Sequence, residues 1–259
     1  MPLGRSSAVK YQRMKRERID KLLVERGLAR SRTKAQALVM AGGVLVDDQL
    51  VHKPSEAFAP ESNIRLKGSG VAASRYVSRG GLKLEAALRE FSIDVRGVVC
   101  LDVGASTGGF TDCLLQHGAQ KVYAVDVGHN QLDWRLRNDR RVEVREGINA
   151  RYLKPEDFDA KFDLATIDVA FVSATKIMPA VAPLLTGAGR LITLIKPQFE
   201  VGRGEVGRGG IVSDRALQAR VITQVNGVAQ HLGLRLIGVI ESPIRGADGN
   251  REFLAAYER

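Results

Sequence analysis

Disulfides are the first thing this sequence does without. Of its 259 residues only Cys100 and Cys113 are cysteine. Neither has metal-ligand spacing, so both are expected as buried small hydrophobes in a reducing compartment. Long apolar runs are missing too, and none approaches the roughly 20 residues of a membrane helix. The opening Met1-Pro-Leu-Gly-Arg-Ser-Ser-Ala8 lacks the apolar core of a secretion signal. A cytoplasmic location is therefore expected. No Gly-Lys-Ser/Thr follows a glycine loop, which excludes a P-loop, and the loop from Gly104 to Gly109 lacks the Gly-x-Gly-x-x-Gly spacing of dinucleotide-binding dehydrogenases.

Basic charge is what the chain has in excess, and it is unevenly placed. The formal net charge is +10. Residues 1–75 hold 15 Lys/Arg against 7 Asp/Glu, while the rest is nearly balanced, with 24 against 22. A basic front quarter points to a polyanionic partner, and nucleic acid is the expected one. Residues 1–17 are polar without an apolar period and read as a basic mobile arm in which Arg13, Lys15 and Arg16 are placed to touch phosphate. Residues 18–67 read as a small α+β domain. Ile19, Leu22 and Leu23 follow helical spacing up to Gly27; Ser31 caps a second helix; a hairpin turns around Asp47-Asp48; Ile64 to Leu66 closes a small sheet. Arg18, Arg30, Arg32 and Lys34 are its candidate RNA contacts, suited to holding phosphates without reading sequence. Residues 68–75 form a small-residue linker.

From residue 76 onward strands alternate with helices, which argues for a doubly wound, mostly parallel sheet. The stretch from Val98 to Phe110 organises it: a short apolar strand, then Gly104, Ser106, Gly108 and Gly109 in a glycine-rich turn, then a helix. Such a turn brings backbone close to a ligand and offers free N–H groups. Asp102 just before it disfavours a pyrophosphate and suits a cationic ligand such as S-adenosylmethionine. Further strands end in Asp126, Asp168, Lys196 and Glu241. Helices are expected over 111–117, 131–138, 173–185 and 214–232, and a last strand over 251–257. An acid such as Asp126 at the end of the second strand accepts hydrogen bonds from ribose hydroxyls. Lys83 lies in the first turn of a preceding helix, where a cation opposes the helix dipole and so hints at use. Ligands of these sheets bind outside the carboxyl ends of the strands.

Two stretches carry a family resemblance. Arg18-Ile-Asp-Lys-Leu-Leu, Ser31-Arg-Thr-Lys-Ala and Ala41-Gly-Gly-Val-Leu-Val resemble the S-four-like RNA-binding domain. Ser78-Arg-Gly-Gly-Leu-Lys-Leu, Asp102-Val-Gly-Ala-Ser-Thr-Gly-Gly-Phe-Thr-Asp, Asp168-Val-Ala-Phe-Val-Ser, Ile195-Lys-Pro-Gln-Phe-Glu and Glu241-Ser-Pro-Ile-Arg-Gly look like the TlyA, or hemolysin-A-like, family with an FtsJ-type catalytic domain over 76–259. The resemblance implies S-adenosylmethionine-dependent 2′-O-methylation of a cytidine in ribosomal RNA, of the large subunit or of both. It implies the Rossmann-like seven-stranded methyltransferase sheet and a Lys-Asp-Lys-Glu catalytic set, which maps onto Lys83, Asp168, Lys196 and Glu241. Lys196 is expected as base or orienter, Lys83 as stabiliser of the developing oxyanion, and the two acids as their supports.

The cofactor residues expected are Asp102, Gly104, Ser106, Gly108, Gly109 and Phe110 for the methionine end, Asp126 for the ribose, and Ile148 and Asn149 for the adenine, with Asp168 also in the cofactor set. Arg79 joins the RNA contacts. No metal is expected, a monomer is favoured, and ribosomal RNA or ribosomal subunits are the partner. The glycine-rich 200–210 loop, with Arg203 and Arg208, reads as a mobile flap closing on RNA. Two other classes stay open: a ribosome-assembly factor with little catalysis, and a pore-forming hemolysin, which the lack of membrane-penetrating segments disfavours.

Overall fold

The computed structural model describes residues 16–29, 31–47, 49–66, 75–246 and 249–259, without the side chains of Arg65, Arg203 and Arg208. Arg30, Asp48 and nearly all of the basic arm and linker lie outside the described residues. The chain divides into two compact units, Met1–Ala73 and Ser74–Arg259.

The first unit contains β1 (Glu17–Arg18), α1 (Ile19–Glu25), α2 (Arg32–Met40), β2 (Val44–Val46), β3 (Gln49–Leu50), β4 (Ala57–Phe58) and β5 (Ile64–Leu66). Ser31 caps α2 by accepting from the Lys34 N–H at 3.3 Å. Strand β2 pairs antiparallel with both β3 and β5, and β1 pairs with β4. Ile19, Leu23, Ala35, Val39 and Val44 form its buried centre.

The second unit opens with α3 (Gly80–Glu90), β6 (Val99–Val103), α4 (Gly109–Gln116), β7 (Lys121–Asp126), α5 (Trp134–Arg137) and β8 (Val142–Glu146). It continues with β9 (Phe162–Ile167), α6 (Met178–Val181), β10 (Leu185–Ile195), α7 (Pro197–Glu200), α8 (Arg215–His231), β11 (Arg235–Glu241) and β12 (Phe253–Glu258). The seven strands lie in the order β11-β12-β10-β9-β6-β7-β8. All run parallel except β12, which is antiparallel to both neighbours. Continuous apolar runs such as Leu191 to Ile195 are buried on both faces, as a covered parallel sheet requires. Two apolar layers, one around Leu101, Phe162 and Tyr257, the other around Leu84, Leu114 and Ile192, hold the helices to the sheet.

Two expected helices are shorter than the apolar pattern suggests. Residues 131–138 yield only α5, and 173–185 break into two single 3-10 turns flanking the four-residue α6. Pro179 and Pro183 supply the break, since neither has an N–H for the ladder. Both cysteines are buried free thiols, and burial pushes each well above the usual thiol range. Among the described residues no helix is long and apolar enough to cross a membrane.

Candidate active site

The reversal of strand order lies between β6 and β9, the place where doubly wound sheets open a crevice. The chain leaves β6 at Gly104 with φ 86°, and a Cβ there would stand 2.3 Å from the Asp168 carbonyl oxygen. Only glycine lets the two strand ends pass this closely. Ser106 follows at φ 47°, and its N–H donates to Asp126 Oδ2 at 2.8 Å. The Gly128 N–H donates to the other oxygen of Asp126 at 2.7 Å. Asp126 thus ties two ligand-facing loops together and keeps lone pairs for a further donor. Gly108 serves packing instead: a Cβ at its position would meet Leu136 at 2.2 Å. Gly109 lets the start of α4 pass Ser78 and the first turn of α3.

Two adjoining cavities open here. One, of about 510 Å³, is lined by Asp126, Ile148, Asn149 and Ile177. The other, of about 450 Å³, is lined by Lys83, Lys196, Arg79, Phe110 and Glu252. Gly104, Ser106, Asp168, Ala170 and Phe171 belong to both walls. In the second cavity Lys196 Nζ lies 2.6 Å from Asp168 Oδ1. That oxygen is buried and receives no well-directed hydrogen bond, so the pair is a charge contact with donor capacity to spare. Lys83 donates to Glu252, a carboxylate only 3% exposed. Two lysines and two acids therefore face one space as two neutral pairs.

Glu241 is not among them. It stands at the end of β11, 46% exposed, and pairs with Arg251 at 3.1 Å. The acid that completes the cluster is Glu252, which precedes the antiparallel β12. Because β12 runs backwards, its beginning, not its end, lies at the carboxyl edge of the parallel strands. The missed signal was Arg251-Glu252 ahead of the apolar Phe253-Leu-Ala-Ala-Tyr257.

Asp102 also departs from expectation. It is fully buried, lines neither cavity, and accepts from the Thr111 hydroxyl at 2.7 Å and the Thr166 hydroxyl at 2.9 Å. Strand alternation turns it into the layer under α4. Burial pushes its carboxyl up to about 6, against the pull of the two hydroxyls. It braces the glycine turn from beneath.

Two aromatic rings escaped the sequence reading. Phe171 sits at φ 61°, a costly conformation for a bulky residue, and is 92% exposed. Its ring centroid lies 5.3 Å from that of Phe199. Beneath them Glu200 accepts from the Ser173 hydroxyl and, at 2.7 Å, from the Ala174 N–H. The loop after β9 is thereby joined to the one after β10. Burial holds the Glu200 carboxyl above its usual range.

The glycine-rich loop is stapled more firmly than a flap. Arg220 holds Glu205 at 2.6 Å; buried Asn250 donates to the Gly210 carbonyl and accepts from the Val212 N–H, both at 2.9 Å. Arg203 and Arg208 belong to that loop, but their side chains lie outside the description. Of the first unit's candidate contacts, Arg18 and Arg32 meet at Asp20 and Lys34 is exposed. Among the described residues no group of three or more His, Cys, Asp or Glu is arranged to hold a metal.

The chain matches the FtsJ-like methyltransferase model over residues 76–259 and the S4 domain model over 17–64. It is 46% identical over 239 residues to the 16S/23S rRNA (cytidine-2′-O)-methyltransferase TlyA of Mycobacterium tuberculosis, covering 92% of this chain and 88% of the relative. It is 44% identical to Hemolysin A of Brachyspira hyodysenteriae, covering 93% of this chain and 99% of the relative. A solved Streptococcus thermophilus structure, described as a candidate hemolysin, superposes with a TM-score of 0.73 at 45% identity, over 95% of this chain and 89% of that one.

Proposed function

Because the chain belongs to the TlyA family of FtsJ-like methyltransferases, we propose that it methylates the ribose 2′-hydroxyl of a cytidine in ribosomal RNA with S-adenosylmethionine, acting in the cytoplasm as a monomer. The observation that carries this reading is the pairing of Lys196 with Asp168 and Lys83 with Glu252 around one cavity that opens onto a second.

The cavity of about 510 Å³, beside Asp126, fits the cofactor. Gly104 clears its floor, Asp126 offers acceptors to ribose hydroxyls, and Ile148 and Asn149 provide an apolar wall and an amide for a base. Bound there, S-adenosylmethionine supplies an electrophilic methyl group. The protein's own work is done on the hydroxyl. Lys196, held by Asp168, orients the 2′-oxygen and, in its neutral form, accepts its proton, a contribution of roughly 10²–10⁴ in rate. Lys83, held by Glu252, stabilises charge developing on that oxygen in a site partly shielded from water. Holding the two reactants in line is the remaining term. The target nucleotide enters unstacked, since a paired ribose cannot reach so recessed a site.

Mapping ribose methylation on ribosomal RNA from cells with and without the gene tests the reading. Loss of one 2′-O-methylcytidine on deletion supports it, and an unchanged map overturns it. A ribosome-assembly factor without catalysis predicts altered subunits with the same map.

A further inference from the structure

The reaction has no use for Asp20, yet among the described residues no carboxylate in the first unit is more elaborately held. It lies in the first turn of α1 and is fully buried. Arg18 grips it with two bonds, Nε to Oδ1 at 3.0 Å and Nη2 to Oδ2 at 2.9 Å. Arg32, the first residue of α2, donates from Nη2 to Oδ2 at 3.2 Å. Gln36, one turn further along α2, donates to the same oxygen at 2.9 Å. Chiefly through the Arg18 bonds, with Gln36 and Arg32 adding to them, the carboxyl is held far below the usual carboxylate range.

The arginines themselves are not buried. Their side chains remain 47% and 60% exposed while Arg18 Nε and Nη2 and Arg32 Nη2 are fixed on Asp20. Two guanidiniums, one from the residue before α1 and one from the first residue of α2, therefore stand side by side, each held on Asp20 and partly open to solvent. Arginine recognises phosphate through a planar fork, and a fork already held in place has less freedom to lose on binding.

We propose that Asp20 is a positioning residue for RNA: it locks Arg18 and Arg32 into a preformed pair that takes backbone phosphates. The proposal rests on the ribosomal RNA reading above. It runs against charge counting. Removing one negative charge next to an RNA-binding surface tightens binding if only the summed charge matters. If Asp20 works by orienting the arginines, the same change weakens it.

The experiment uses the full chain and unmodified large-subunit rRNA transcribed in vitro, with Kd followed over a salt series. Asp20→Asn is expected to raise Kd about tenfold, as two unlocked forks lose their preorganisation. The loss appears in the KM for rRNA rather than in kcat, and S-adenosylmethionine binding is unchanged. Asp20→Asn binding rRNA as tightly as wild type, or more tightly, overturns the proposal. Should Asp20→Asn lose the first unit's thermal unfolding transition, the Arg18→Lys, Arg32→Lys double variant decides. It keeps every charge and the acid but removes the forks, so weaker binding supports the proposal and wild-type affinity overturns it. Arg18→Ala with Arg32→Ala separates the layers. If that variant binds like wild type while methylation persists, this proposal alone falls; if wild type neither binds nor methylates rRNA, the underlying reading falls.

Discussion

Lys83 and Glu252 stand 169 positions apart in the chain and share a hydrogen bond beside the Lys196–Asp168 pair. Glu252, not Glu241, is thus the acid that keeps Lys83 in place. Glu252→Gln is expected to lower kcat for methyl transfer by roughly 10²-fold or more, since an oriented charge is lost where charge develops. Glu241→Gln, on the exposed Arg251 pair, is expected to stay within about twofold. Side-by-side single-turnover assays check both, and equal losses would remove Glu252 from the site.

Lys196→Ala is expected to reduce turnover by roughly 10²–10⁴ while leaving S-adenosylmethionine affinity near wild type. Calorimetry with the cofactor and methyl transfer to rRNA read the two separately. A variant that turns over at the wild-type rate excludes Lys196 from the proton step.

Gly104→Ala tests the crossing of β6 and β9. The new Cβ meets the Asp168 carbonyl at 2.3 Å, at a φ that L-residues avoid. Backbone strain alone is expected to cost about 1–3 kcal/mol, seen as a lowered Tm, together with weaker cofactor binding. Unchanged melting and binding would mean that the strand ends have room the structure does not show.

Asp102 gives a pH dependence. Its folded carboxyl titrates near 6, above the ordinary 3.8. The folded state therefore binds the extra proton between these values. Its share of stability is fully present below about pH 4 and is lost as pH rises through about 6. Asp102→Asn removes this term, so unfolding free energies of wild type and variant should diverge from pH 4 to pH 7 by roughly 3 kcal/mol. Denaturant curves across that range measure it, and parallel curves would show that Asp102 keeps an ordinary titration.

Much of this was legible in the sequence. The β-branched runs gave the parallel strands, and Asp168 and Lys196 line one cavity because parallel strands deliver their last residues to one edge. Lys83, singled out as a cation in a helix's first turn, lines the same cavity. The same logic delivered Glu241 to that edge, but on the outermost strand β11, where it pairs with Arg251, and it missed Glu252 because it could not see that the last strand runs the other way. Asp102 failed for a different reason: a residue one step before a ligand loop alternates into the sheet layer, and one-dimensional spacing does not tell which face is which. Phe171 was invisible because backbone strain leaves no trace in residue type.

The reversal of β12 has a practical side. The strand starts just after Glu252, at the cavity edge, and carries the chain to the opposite edge, where the Arg259 N–H donates to the Gly189 carbonyl and its guanidinium reaches the Ala182 and Leu185 carbonyls. A dye attached at position 259 thus sits at the edge of the sheet opposite the crevice. Of the eleven residues between β11 and β12, Ile244, Arg245 and Glu252 line the lysine cavity instead, so a graft beside Ile244 and Arg245 reshapes what the lysines meet without moving α3 and β10, which position them.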